Sequence, residues 1–248
     1  IVAGGRVYLQ ASASDGSKRL LACLDAATGK EAWTRTLPGQ PAKMQSAKGS
    51  LASGTPTCDG ERVYCCVWDG AAVSVYAFDL TGKEVWSQSL GSFVSQHGAG
   101  MSPVVHAGKV FVNFDQDGAA EVVALDTKTG AKVWGQPRKA FRTCYSTPVV
   151  RGLPGGKTEV VVFSTAAVTG YDPETGHPNW NWPVPWKTGE AGLRSGASPL
   201  LAGDYVVALT GDGGTLAVGA YLEDGGDIGI GGIAADDSAP AAGAVYLY

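Results

Sequence analysis

Histidine is scarce in this chain, three residues in 248, and methionine scarcer still at two. Three histidines, His97, His106 and His177, argue against a catalytic triad or a multi-histidine metal site, and the latter two fall in turns. Charge is sparse as well: 17 % of residues, with 19 basic against 23 acidic side chains and a net charge of −4. A nucleic-acid surface needs a clustered basic excess, so that class of partner is not expected. No run of 18 apolar residues occurs, and no membrane span is encoded. The five cysteines (Cys23, Cys58, Cys65, Cys66, Cys144) are odd in number and irregular in spacing, with no CxxC and no Cys/His cluster. That pattern supports neither a disulfide framework nor a zinc site, and free cysteine is commonly a buried, unreactive residue. Phosphate-loop, GxSxG and HExxH motifs are missing, and no segment carries a helical apolar stripe. The chain opens at Ile1-Val2-Ala3-Gly4-Gly5 with no Met, basic n-region or cleavage pattern, which leads us to expect a fragment or a mature chain without its export signal.

Glycine, by contrast, is plentiful at 36 residues, as short strands joined by tight turns require. Four times an apolar run ends in Asp, a short turn closes on Gly, and Trp comes four residues later. The copies are Asp25…Gly29…Trp33, Asp79…Gly82…Trp86, Asp126…Gly130…Trp134 and Asp172…Gly176…Trp180, with tryptophans 53, 48 and 46 residues apart. A period of that size marks a toroidal or solenoid array.

The third copy is the easiest to read. Ser102-Pro103-Val104-Val105 is a short strand, His106-Ala107-Gly108-Lys109 a turn, and Val110-Phe111-Val112-Asn113-Phe114 a second strand. Asp115-Gln116-Asp117-Gly118 reads as a turn using the positive φ that Asp-Gly tolerates. Glu121-Val122-Val123-Ala124-Leu125 is a third strand and Lys132-Val133-Trp134 a fourth. Four short strands repeated at a near-constant period predict an all-β propeller of four-stranded antiparallel blades, about five blade equivalents in all. Unit one reads as lacking its first strand. That would leave an edge in need of cover, and Ala244-Val245-Tyr246-Leu247-Tyr248 is expected to lie beside residues 5–10 and staple the ring.

The Asp-x-x-Thr-Gly-Lys-x-x-Trp units resemble the quinoprotein-type (PQQ-like) propeller repeat over residues 1 to about 205. The resemblance implies that Trp33, Trp86, Trp134 and Trp180 are structural and dock between neighbouring blades. It also implies rings of six to eight blades and an exported, periplasmic or cell-envelope location. From 206 to 248 the chain is similar to the FG-GAP repeat of integrin-α-like propellers, through Leu209-Thr210-Gly211-Asp212-Gly213-Gly214 and an acidic, Gly-rich loop. Only Asp212 precedes Gly213, short of the alternating Asp/Asn of the calcium-binding version of that repeat.

In a blade meander the inter-blade connections share a face with the second-to-third-strand turns, and the Asp-Gly-Trp turns lie opposite. His97, Asp115, Asp117, Arg142, Tyr145 and Arg194 should therefore share one rim as a ligand- or peptide-binding site. Asp115 and Asp117 serving turn amides, and His97 packing in its loop, is the structural alternative. Quinone-dependent dehydrogenases of the superfamily carry a vicinal disulfide, which draws attention to Cys65-Cys66. In Val63-Tyr64-Cys65-Cys66-Val67-Trp68, however, neighbouring side chains of a central strand point to opposite faces. The cluster Trp180, Trp182, Trp186 with Pro178, Pro183 and Pro185 reads as blade docking and cover for the next connection, with peptide or sugar stacking as the alternative. The acidic loop from Glu223 to Asp237 reads as a solvated loop. We expect a non-catalytic scaffold similar to outer-membrane assembly propellers, binding a protein or envelope component and carrying no cofactor. The alternatives are a fragment of a PQQ-dependent oxidoreductase, with PQQ and calcium, or an extracellular adhesion module.

Overall fold

The computed structural model describes residues 1–41, 49–184, 196–202, 205–209, 216–220 and 245–247. Among them are five antiparallel four-stranded sheets, each in sequential strand order. Blade one is β1 (Val2–Ala3), β2 (Arg6–Ser12), β3 (Lys18–Asp25) and β4 (Glu31–Pro38). Blade two is β5 (Thr57–Cys58), β6 (Arg62–Trp68), β7 (Ala72–Asp79) and β8 (Glu84–Ser92). Blade three is β9 (Val104–His106), β10 (Lys109–Phe114), β11 (Ala120–Asp126) and β12 (Lys132–Arg138). Blade four is β13 (Val149–Gly152), β14 (Thr158–Phe163), β15 (Ala167–Tyr171) and β16 (Pro178–Pro183). Blade five is β17 (Leu200–Ala202), β18 (Tyr205–Leu209), β19 (Leu216–Ala220) and β20 (Val245–Leu247). The fifth sheet straddles residue 205, so the change of repeat type read from the sequence falls inside one blade.

The core lies between blades. Because side chains alternate across a strand, a central strand feeds two layers at once. Val63, Cys65 and Val67 of β6 pack with Tyr8, Leu21 and Cys23 of blade one. Tyr64, Cys66 and Trp68 of the same strand pack with Val110, Val112 and Phe114 of blade three. Phe111, Val122 and Ala124 meet Val160, Val162 and Tyr171 between blades three and four. Val161, Phe163 and Trp182 meet Val206 and Ala208 between four and five.

Three sequence expectations are corrected. Unit one does possess its first strand: Val2 pairs with Val7 and Ala3 with Arg6. The hairpin is made by Gly4 and Gly5, at φ 53° and 73°, the two positive-φ positions a tight two-residue turn requires. The last strand does not staple the ring. Val245 and Leu247 pair with Gly219 and Ala217, so β20 completes its own blade. Finally, Gly118 is not among the glycines at positive φ; residues 115–119 form a longer loop held by side chains.

The Asp-Gly turns are built alike. Asp126 Oδ1 accepts from the Lys128 N–H (3.0 Å), the Thr129 N–H (2.8 Å) and the Thr129 hydroxyl (2.8 Å). Asp25, Asp79 and Asp172 do the same with Thr28, Thr81 and Thr175. These hydrogen bonds favour the charged form and hold all four carboxyls below the usual aspartate range.

Candidate functional site: one rim of the blades

The connection from β8 to β9, the loop from β10 to β11 and the connection from β12 to β13 converge on one face. Backbone bonds tie them together: the Asp117 N–H donates to the Val94 carbonyl at 2.9 Å. The Val94 N–H in turn donates to Gln116 Oε1 at 2.9 Å. Asp117 Oδ1 accepts from the Thr143 N–H (2.9 Å), from the Thr143 hydroxyl (3.1 Å) and from Arg142 Nε (3.2 Å). Next to this knot the Ser95 and Tyr145 hydroxyls lie 3.0 Å apart, and the His97 N–H donates to Ser95 Oγ at 3.3 Å. The rings of His97 and Tyr145 meet edge to face at 6.4 Å. Asp117, Arg142, His97 and Tyr145 thus share one rim, and Ser95, Gln116 and Thr143 are rim residues that the sequence alone does not single out.

Asp115 sits on the same loop but is fully buried. Arg138 clasps it through Nε (2.8 Å) and Nη2, and Arg138 Nη2 also donates to Asn113 Oδ1 at 2.9 Å. Burial pushes the Asp115 carboxyl up, and the Arg138 charge pulls it back without cancelling the effect. Asn113 Nδ2 donates to Ser146 Oγ at 3.2 Å and so crosses to the connection entering blade four. Asp115 therefore supports the rim from below. Arg194 lies outside the described residues, as do Pro185, Trp186 and the acidic loop.

Like Nη1 of Arg138, two ring nitrogens on this side are buried with no hydrogen-bond partner among the described residues: Trp68 Nε1 and His97 Nδ1. The two residues are neighbours across Gly98, where an added Cβ would meet the Trp68 ring at 3.0 Å. Val94, 59 % exposed, adds an apolar contact at the edge. A half-buried histidine and tyrosine, a paired Asp–Arg and an exposed valine thus lie together on this rim.

Cys65 and Cys66 face elsewhere. Cys65 belongs to the layer against blade one and Cys66 to the layer against blade three. Both are free, and burial raises both thiols, Cys66 to about 12. Side chains on opposite faces of β6 do not fit a vicinal pair lying against one quinone. Among the described residues no three His, Cys, Asp or Glu side chains gather as metal ligands would, and no helix is long and apolar enough to cross a membrane. His106 Nε2 lies 3.1 Å from Thr158 Oγ1 of blade four, and His177 is exposed in its turn.

On the opposite face the tryptophans dock. Trp33, Trp86 and Trp134 donate Nε1 to the carbonyls of Leu80 (3.0 Å), Thr127 (2.9 Å) and Pro173 (3.1 Å), each the residue after the turn Asp of the next blade. Trp180 differs: it donates to Glu159 of its own blade (3.0 and 3.1 Å), which Arg151 clasps at 2.5 Å. The equivalent turn of blade five, 210–215, lies outside the described residues. Trp182 is buried between blades four and five. The buried Arg151–Glu159 and Arg138–Asp115 pairs are invisible in the repeat pattern. Their only signal is a polar residue within or beside an apolar strand, Asn113 and Glu159.

Against this geometry, the family described as "Outer membrane protein assembly factor BamB" matches residues 1–79 and 71–238. Comparison with curated proteins gives no match. Among solved structures, BamB from Moraxella catarrhalis aligns with a TM-score of 0.59 at 18 % identity, over 86 % of this chain and 62 % of its own. A europium-containing methanol dehydrogenase aligns with a TM-score of 0.65 at 14 % identity, over 88 % of this chain and 47 % of its own. The quinohemoprotein alcohol dehydrogenase of Comamonas testosteroni gives 0.54 at 19 %, over 88 % and 40 %. At these identities the likeness is one of fold, and the chain spans less than two thirds of each of these structures.

Proposed function

Since the chain belongs to the family of the outer membrane protein assembly factor BamB, matched over nearly its whole length, we propose that it is a non-catalytic binding platform of the cell envelope. Its partner is a protein or other envelope component, and the rim of His97, Asp117, Arg142 and Tyr145 receives it. The observation that carries this reading is the Asp117–Arg142–Thr143 knot. It ties the β10–β11 loop to the β12–β13 connection, and both reach the β8–β9 connection through the Val94 carbonyl, in one polar, partly exposed surface; preorganised surfaces bind with little ordering cost. The buried, raised thiols of Cys65 and Cys66 support the same reading, because they are poor candidates for redox chemistry. We assign Arg194 to the same surface from the repeat phase alone, as it lies outside the described residues. Blade five, from residue 206, we read as an FG-GAP-like variant of the repeat; its outer strand Val245–Leu247 carries no tryptophan.

A thermal-shift titration with PQQ and calcium, run beside capture of envelope proteins on the immobilised chain, separates the readings. We expect no shift with the quinone, and a captured protein whose retention is lost on Arg142→Glu. A PQQ-dependent rise in melting temperature with a quinone absorbance change would instead support the dehydrogenase reading. A calcium-dependent rise without quinone binding would support an adhesion module.

A further inference from the structure

The connection from β12 to β13 carries Arg142, and blade four holds its backbone. Thr165, in the turn between β14 and β15, is fully buried. Its Oγ1 accepts from the Phe141 N–H at 2.9 Å and from the Arg142 N–H at 3.2 Å. Its O–H donates to the Arg142 carbonyl at 3.3 Å. One donor and two lone pairs are the capacity of a hydroxyl, and these three bonds engage all of it.

A peptide unit is planar, so a bond at its N–H or its C=O orients the whole unit. Thr165 thereby orients the units on both sides of Arg142, one through the Arg142 N–H and one through the Arg142 carbonyl. Only φ and ψ of Arg142 separate the two planes. The second plane is held again at its other end, where the Thr143 N–H donates to Asp117 Oδ1 at 2.9 Å. The Arg142 guanidinium reaches that same oxygen through Nε at 3.2 Å. Blade three supplies the carboxylate and blade four the hydroxyl, and Arg142 is set between them.

The turn that bears Thr165 is itself braced. Ser164 Oγ accepts from the Ala166 N–H (3.0 Å) and the Ala167 N–H (3.1 Å), and the Ser164 N–H donates to the Ala167 carbonyl at 2.8 Å. Blade three grips the connection that enters it in a similar way. Gln116 Oε1 accepts from the Val94 N–H at 2.9 Å, and its Nε2 donates to the Ser92 carbonyl at 3.1 Å. In both blades a side chain of the loop after the second strand holds the incoming connection.

We propose that Thr165 is a positioning residue of the rim, whose hydroxyl fixes φ and ψ of Arg142 so that the guanidinium is presented on Asp117. This rests on the reading of the rim as the binding surface. Thr165 is buried and reaches a partner only through Arg142, whose side chain is 31 % exposed.

The test compares Thr165→Val, which keeps the shape and removes the hydroxyl, with Thr165→Ser, which keeps the hydroxyl. Residue-resolved amide exchange reads the backbone, and modification by an arginine-specific dicarbonyl reads the Arg142 guanidinium. In Thr165→Val the Phe141 and Arg142 amides should exchange roughly tenfold faster, as the loss of a hydrogen bond implies. Arg142 should be modified faster, while the Val94 amide, held by Gln116, keeps its rate. Retention of envelope protein on the immobilised chain should fall in Thr165→Val, and Thr165→Ser should match the wild type throughout. Unchanged exchange at Phe141 and Arg142 overturns the proposal, and so does an equal rise at Val94, which would mark a general loss of stability. Retention unmoved by Thr165→Val where Arg142→Glu abolishes it overturns it as well. Retention unmoved by both variants contradicts the rim reading instead, and the exchange rates then still decide whether Thr165 fixes Arg142.

Discussion

The indole of Trp86 lies across Gly130 so closely that a Cβ there would meet its Cε3 at 2.6 Å, and its N–H donates to the Thr127 carbonyl at 2.9 Å. Gly130 thus answers two demands at once, a left-handed turn at φ 73° and a flat surface for the neighbouring indole. Gly130→Ala should cost about 3 kcal/mol, adding backbone strain to the displacement of a packed ring. Gly29→Ala, in the same kind of turn but where an added Cβ meets nothing within 4 Å among the described residues, should cost about 1 kcal/mol. Urea unfolding of the two variants checks the difference.

The four turn aspartates make the fold acid-sensitive. Their carboxyls titrate lower in the folded chain than in the unfolded one. Their contribution is therefore complete above the unfolded value near pH 4 and fades as pH falls through the folded one. Asp115 has the opposite sign, one raised carboxyl against these four and against Asp15 and Asp59, which are lowered as well. Melting temperature should be flat above about pH 5 and fall below about pH 4. Asp79→Asn should melt lower at neutral pH and lose less on acidification.

Asp115→Asn leaves the buried Arg138 guanidinium without its counter-charge, at a cost of about 3–5 kcal/mol. Arg138→Met combined with Asp115→Asn should recover much of that loss, since an apolar side chain then replaces the uncompensated charge. A double-mutant cycle by denaturant unfolding measures the coupling, and a coupling near zero would contradict the pairing.

Thiol reactivity reports the cysteine placement. Cys23, Cys65, Cys66 and Cys144 are buried and Cys58 is partly exposed. A chromogenic disulfide reagent should label one thiol of the native chain promptly and all five after denaturation. Two fewer thiols in the denatured sample would mean an oxidised pair.

The blades are legible in the sequence because the repeat couples a turn that needs glycine to a ring that needs a flat neighbour, and both leave unmistakable letters. The opposing directions of Cys65 and Cys66 come from strand alternation alone. The first strand of blade one is easily missed because Gly4-Gly5, a two-residue hairpin signal, sits so near the start that it resembles a loose end. The misplacement of β20 has a related cause: once a strand is counted as missing, the last apolar run offers itself as the replacement. On the rim, Asp117 and Arg142 are placed by topology. The sinking of Asp115 onto Arg138 is not, because that pair is 23 residues apart and is chosen by packing. Trp180 keeps the spacing of its siblings and bonds a buried glutamate of its own blade, a choice made by Glu159 rather than by the repeat.

Photo-crosslinking in cells tests the functional reading most directly. A photoreactive residue at Val94, 59 % exposed on the rim, is compared with one at Leu80, 44 % exposed on the opposite face. A discrete adduct with an envelope protein is expected from position 94, abolished by Arg142→Glu, and none from position 80. Adducts from position 80 with none from 94, or rim adducts indifferent to Arg142→Glu, would contradict it.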